Sequence, residues 1–151
     1  MKMEDIANKK GSGITYENLI GVWRFKYVWK KGSDQKDNIS SSILQVLSAS
    51  LELSKIDLEK KNLIYEIKNS VRFGFLSIVF KGKANLKGNR PLLPFSFDYL
   101  YINFGNIKLY ERYFDIKDTN KPFFALISID KNQTWLCARG KGGGLAIWSK
   151  I

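Results

Sequence analysis

The sequence predicts an all-β domain: a single antiparallel barrel of eight or nine strands with a short helical turn near its N-terminus. Three features carry that expectation. Apolar and polar residues alternate with period two along most of the chain. Short clusters of Gly, Asn, Asp, Ser and Pro interrupt the alternation. A Gly21-x-Trp23 strand near the start also has a counterpart in an Arg139-Gly140 strand near the end. When first and last strands pair, an antiparallel sheet closes and loses its edges. About eight strands leave an interior that side chains fill or that holds one small ligand.

Residues 1–13 are polar, contain Gly11-Ser12-Gly13, and read as a flexible tail ahead of a barrel domain spanning 14–151. Thr15 to Ile20 reads as a helical turn plugging one end of the barrel, with Thr15 as its cap. In the next segment Gly21, Trp23, Phe25, Tyr27 and Trp29 share one face while Arg24, Lys26 and Lys30 take the other. That is the pattern of a strand wetted on one side. Gly32 to Ser42 is a polar loop. Ile39, Ile43, Leu47 and Leu51 fit a helix, whereas Ile43, Leu47, Leu51 and Leu53 fit a strand; its neighbours favour strand for Ile43 to Leu53.

Leu63, Tyr65 and Ile67 alternate with Glu66 and Lys68, Gly74 bends the chain, and Phe75 to Lys81 continues as a strand. Gly82 to Pro94 reads as a loop. Phe95, Phe97, Tyr99 and Tyr101 form a second aromatic stripe at period two, and Gly105-Asn106 turns that strand into Ile107 to Tyr113. After a polar loop at Lys117 to Pro122, Phe123–Ile129 and Thr134–Arg139 make a hairpin around Asp130-Lys131-Asn132. Gly140 to Gly144 is the last turn and Leu145 to Ser149 the last strand.

Composition narrows the chemistry. The 151 residues suit one domain, and 44% hydrophobic residues suffice for a core. Acidic residues and no apolar run at Met1 to Asp5 argue against a secretory signal, and a single cysteine, Cys137, suits a reducing compartment. Histidine is absent, so nucleophiles activated by histidine and histidine-based metal sites are ruled out. Cys137 would need another activator, such as a nearby Arg or Lys. The expectation is a protein that is not an enzyme, with no cofactor and no metal. The net charge of +11 calls for an anionic partner. Because 20 of the 25 basic residues are lysines, it leans toward an anionic membrane surface and away from specific nucleic-acid readout, which arginine forks dominate.

Three constellations have two readings each. The rings of Trp23, Phe25, Tyr27, Phe97, Tyr99 and Tyr101 either line a pocket for a hydrophobic ligand, with tyrosine hydroxyls reaching its polar groups, or fill the barrel as core. Arg139 either stacks on Trp23 and bonds carbonyls at the closed end, or meets an anionic ligand head. Leu92 and Leu93, between two prolines and flanked by Lys87 and Arg90, either dip into a membrane interface or cap the barrel. The glycines at 140–144 lack phosphate-loop spacing and read as a hairpin turn.

The chain resembles the plastid lipid-associated protein/fibrillin family in a compact cyanobacterial form. The resemblance runs from about Thr15 to the C-terminus, through Gly21-Val22-Trp23-Arg24-Phe25, Phe95-Ser96-Phe97-Asp98-Tyr99, and the block from Arg139-Gly140 to Ile147-Trp148. It departs at Leu136, where family members carry a second arginine, and at Asp130, which lies farther from Arg139 than the family's aspartate does. The resemblance implies a lipocalin-like barrel, cytoplasmic and peripheral to the thylakoid membrane, that binds a prenylquinone, carotenoid or other lipid. Two rival functions stand beside it: a photosynthetic-membrane assembly or partner-binding protein with a filled barrel, and a tetrapyrrole-handling enzyme.

Overall fold

The computed structural model describes residues 2–33, 35–38, 49–56, 64–88, 91–115 and 121–151. Two helices, α1 (Lys2–Lys10) and α2 (Tyr16–Leu19), precede nine strands among the described residues. These are β1 (Gly21–Trp29), β2 (Ser50–Lys55), β3 (Ile64–Phe73), β4 (Leu76–Asn85), β5 (Leu92–Phe104), β6 (Ile107–Tyr113), β7 (Phe123–Ile129), β8 (Trp135–Gly140) and β9 (Leu145–Lys150). All pairings are antiparallel. The ring runs β1-β2-β3-β4-β5-β7-β8-β9 and closes where β9 pairs with β1, Phe25 opposite Trp148. The expected barrel is present, and its first and last strands meet as the end motifs predicted. β6 lies outside the ring, paired to β5.

One end of the barrel is plugged. Thr15 stands at the N-cap of α2, where the Asn18 side chain accepts its backbone N–H at 3.0 Å, and this turn drives Leu19 to full burial. The Trp23 indole N–H donates to the Leu19 carbonyl at 2.8 Å. Tyr65, fully buried, donates its hydroxyl to the Tyr16 carbonyl at 2.9 Å, and the two tyrosine rings stack with centroids 4.2 Å apart. Burial in this setting pushes the Tyr65 phenol pKa far above its ordinary value. Each large side chain buried here stabilises the fold by roughly 1.5–3 kcal/mol, and each polar tip has a partner that compensates its loss of water.

Among the described residues, ring closure is full at this end alone. β7 pairs with the first three residues of β5, Leu92 to Pro94, while Tyr99 to Phe104 pair with β6 instead. The distal halves of β3, β4 and β5 therefore continue past the ring with β6 as a four-stranded blade. Its tips are two hairpin turns at Gly74 and Gly105, both with φ of 57°. They touch: the Gly105 N–H donates to the Phe75 carbonyl at 2.8 Å.

Two β-bulges set which aromatic side chains face inward. In β1 the register slips between Phe25 and Tyr27. Trp23, Phe25 and Val28 pack into the core, whereas Tyr27 and Trp29 turn to the outer surface. In β5 the register against β4 slips where Lys81 faces Tyr99 and Gly82 faces Phe97, leaving Asp98 as the extra residue. Phe95 and Phe97 pack against the core, and Tyr99 and Tyr101 face outward. Each stripe that period two placed on one face is thus divided between two. Gly82 permits the second bulge: a Cβ there would sit 1.8 Å from the Ser96 carbonyl oxygen.

Other expectations also shift. The segment expected to be a flexible tail carries α1, whose Ala7 is buried against Ile127 and Leu145 on the barrel's outer wall. The signal was weak because one small residue makes that contact. Gly82 to Pro94, expected as a loop, lies partly in strands: Gly82 to Asn85 finish β4, and Leu92 to Pro94 begin β5. Ile43 and Leu47 lie outside the described residues, as do Leu63 and Arg90.

Candidate functional site

The barrel interior is largely filled. Trp23, Leu53, Tyr65, Ile67 and Leu136 are fully buried, and rings of Phe25, Trp148, Phe124 and Phe95 contact one another in series, with centroids 4.9–6.3 Å apart. A cavity of about 180 Å³ lies at the unplugged end, lined among the described residues by Phe25, Leu51, Asn69, Val71, Phe124 and Trp148. Its side-chain lining is apolar except for the Asn69 amide.

The cavity opens toward the blade, because the same strand face continues outward. Val71 lies opposite Ile78, which lies opposite Ile102; beyond them Phe73, Leu76, Phe104 and Ile107 form the next cross-strand row. This face becomes more exposed toward the tips: Phe73 is 64% exposed, Phe75 75% and Ile107 65%. Exposed apolar groups clustered in this way mark a surface for contact with another molecule or a membrane. Sequence reasoning missed them. A signal existed: both turns are flanked by phenylalanine, at Phe73-Gly74-Phe75 and Phe104-Gly105, where hairpin turns ordinarily carry polar neighbours.

The predicted site residues do not form one site. Phe25 lines the cavity, and Phe97 packs behind it through Phe95. Trp23 is buried in the plug, away from the opening. Tyr27 faces outward beneath the Lys36 ammonium, 3.9 Å from its ring centroid. Tyr99 donates its hydroxyl to Glu111 at 2.5 Å on the outer face of β5, and this bond raises its pKa. Tyr101 sits beside it, ring centroids 5.6 Å apart. Tyr27, Tyr99 and Tyr101 are therefore removed from the interior by the two bulges.

Arg139 also faces outward, because Leu136 and Ala138 occupy the inward positions of β8. It does not stack on Trp23, whose ring instead has the Lys150 ammonium 5.1 Å away. Its guanidinium grips Glu4 of α1 in a two-pronged pair, Nε to Oε1 at 2.6 Å and Nη2 to Oε2 at 2.7 Å, and donates to the Gly143 carbonyl at 2.5 Å. The expectation was carbonyls at the closed end beside Trp23; the carbonyl met instead belongs to the β8–β9 turn at the other end, and the carboxylate comes from the N-terminal helix. Asp130 accepts the Thr134 and Trp135 N–H groups within its own turn, which lowers its pKa, and has no contact with Arg139. Cys137, beneath α1, has its thiol pushed up to about 11 by burial, so it is protonated at neutral pH.

Of the expected membrane contacts, Leu93 is 1% exposed and belongs to the core, so it cannot dip into an interface. Leu92 is exposed, and its backbone exchanges two hydrogen bonds with Lys87 at 2.8 and 3.0 Å, holding that pair as a rigid corner. Among the described residues no helix is long and apolar enough to cross a membrane, and no three His, Cys, Asp or Glu groups converge as a metal site would require. No family model matches the chain, and no curated protein matches it.

Proposed function

We propose that this barrel binds a hydrophobic small molecule or lipid at a membrane surface, with the blade as the element that meets the bilayer. The observation that carries this reading is the continuity of the apolar cavity with the exposed apolar face of β3 to β6. The cavity is smaller than the roughly 300 Å³ at which sites for whole drug-sized ligands begin. It suits one ring or a length of tail, and the rest of an elongated ligand lies along the blade. A prenylquinone or carotenoid has that shape, which is also the ligand class the resemblance to the plastid lipid-associated protein/fibrillin family implies; the thylakoid is the corresponding membrane. Burying such a ligand contributes roughly 25 cal/mol per Å² of apolar surface. No step of this mechanism makes or breaks a covalent bond.

Quenching of tryptophan fluorescence by a short-chain plastoquinone tests the reading, since Trp148 lines the cavity. Saturable quenching in the parent and its loss in Val71→Trp, which fills the cavity, is the expected result. Equal quenching in both proteins would remove the cavity from the mechanism. A partner-binding role for the barrel has one observation in its favour, the filled interior around Trp23, Tyr65 and Leu136. Absence of any quenching, together with no lipid in solvent extracts of the purified protein, would favour that role.

A further inference from the structure

A second concavity lies on the opposite face of the strands that carry the apolar one, and its chemistry is different. It measures about 340 Å³, and its lining includes Arg24, Lys68, Arg72, Ser70, Asn103 and Tyr101. Among the described residues no Asp or Glu side chain lines it, and Ile151, the last residue of the sequence, stands at its edge. Register explains the gathering. Arg24, Ser50, Ser70, Val79 and Tyr101 form a single cross-strand row over β1 to β5, all directed to the outer face. Lys68 and Arg72 flank Ser70 two positions away on either side along β3, so they start about 13 Å apart and can both lean over it. Arg24 approaches along the row from two strands away, about 10 Å.

Three cations around one hydroxyl repel one another unless an anion sits between them. Lys68 has a partner in Glu52, at 3.1 Å. The Arg24 and Arg72 guanidiniums have no hydrogen-bond or ion-pair partner among the described residues. The Ser50 and Ser70 hydroxyls lie 2.7 Å apart, so one donates to the other and the second hydroxyl hydrogen is left to point into the groove. Val79 gives the groove a closed floor, being only 5% exposed although it lies on the outer face.

We propose that this groove binds a phosphate group, with the Arg24 and Arg72 guanidiniums as forked donors and the serine hydroxyl as a third. Arginine suits this task because its planar fork meets two oxygens at once. The phosphate can belong to a lipid headgroup or to a small phosphorylated molecule, and the two sources are separable. The groove stands independently of the apolar cavity, since the two occupy opposite faces of the same strands.

Backbone-amide NMR of the full chain, titrated with glycerol 3-phosphate, is the test for the soluble source. Co-sedimentation with vesicles of phosphatidylglycerol or of phosphatidylcholine tests the lipid source. Saturable shifts at Ser50, Ser70, Ser77 and Asn103 with glycerol 3-phosphate, weakened about tenfold by Arg24→Gln with Arg72→Gln, are expected if the site takes a soluble phosphate. Loss of phosphatidylglycerol binding in that double variant, without soluble-phosphate shifts, assigns the site to a headgroup. Either result supports the groove. Ser70→Asp, which leaves both arginines in place and adds a carboxylate, should abolish the same signal. Lys131→Gln, on a remote hairpin, should change neither. Failure of both probes to bind, or equal weakening by Lys131→Gln, would reduce the attraction to the general charge of +11 and overturn the proposal.

Discussion

The two ends of this barrel are built from similar residues and behave as opposites. At the plugged end, Leu19, Trp23, Tyr16 and Tyr65 are buried, and each indole or phenol tip finds a backbone carbonyl. At the blade end, Phe73, Phe75, Phe104 and Ile107 are exposed, and the contacts between them are limited to neighbouring strands and the two touching tips. The difference comes from what crosses the strand ends. α2 covers one end, while the distal parts of β3 to β6 run on past β7. Aromatic content alone therefore says nothing about whether a ring stabilises the fold or waits for a partner.

The largest test of that contrast is Trp23→Ala. It removes the side chain at the centre of the plug and should cost about 3–5 kcal/mol, read as a lowered midpoint in urea. A loss under 1 kcal/mol would mean the plug is not what holds the barrel together. Gly82→Ala is next. Its Cβ would meet the Ser96 backbone, so the bulge must open, at a cost of about 1–3 kcal/mol in the same measurement. That variant also reports whether the outward placement of Tyr99 and Tyr101 depends on the bulge.

A smaller effect is expected where α1 meets the wall. The hydrogen bond from Arg139 holds the Glu4 carboxyl below its ordinary 4.5. Because the folded value is the lower one, the pair's stabilisation is complete above the unfolded pKa and fades as pH falls through the folded one. Both side chains are about a quarter exposed, at 24% and 27%, which limits the contribution to roughly 0.5–1 kcal/mol. Glu4→Gln should lower stability by that amount at pH 7 and by less as the pH falls through the folded-state value. A loss that stays the same as the pH falls would point to packing instead of charge.

The least effect on stability belongs to the blade tips. Phe75→Ser with Ile107→Ser should change the unfolding free energy by less than about 0.5 kcal/mol, as exposed positions do. The same pair should sharply reduce co-sedimentation with anionic vesicles. A double variant that is destabilised like Trp23→Ala, or that binds vesicles like the parent, would erase the distinction between the two ends.

Much of this architecture was legible beforehand. Period-two alternation located most of the strands, Gly74, Gly105-Asn106, Asp130-Lys131-Asn132 and Gly140 to Gly144 located the turns, and Thr15 located the capped helical turn. The candidate site was far less legible. Phe25 and Phe97 were placed correctly toward the interior, while Tyr27, Tyr99 and Tyr101 followed the same alternation to the wrong face. Exposed apolar residues were sought at Leu92 and Leu93, although Leu93 is buried and the residues flanking Gly74 and Gly105 are more exposed than Leu92.

What this sequence determined by itself was therefore local: where the chain extends and where it turns. Those features depend on residues within a few positions of one another. Only the tertiary structure decided which ring faces inward, because one inserted bulge residue reverses every side chain after it. Only the tertiary structure set the Glu4–Arg139 pair and the groove of Arg24, Lys68 and Arg72, since their members come from separate elements brought together by strand order and register. Alternation carries no information about the neighbouring strand, and the neighbouring strand is what turns a stripe into a core, a cavity or a surface.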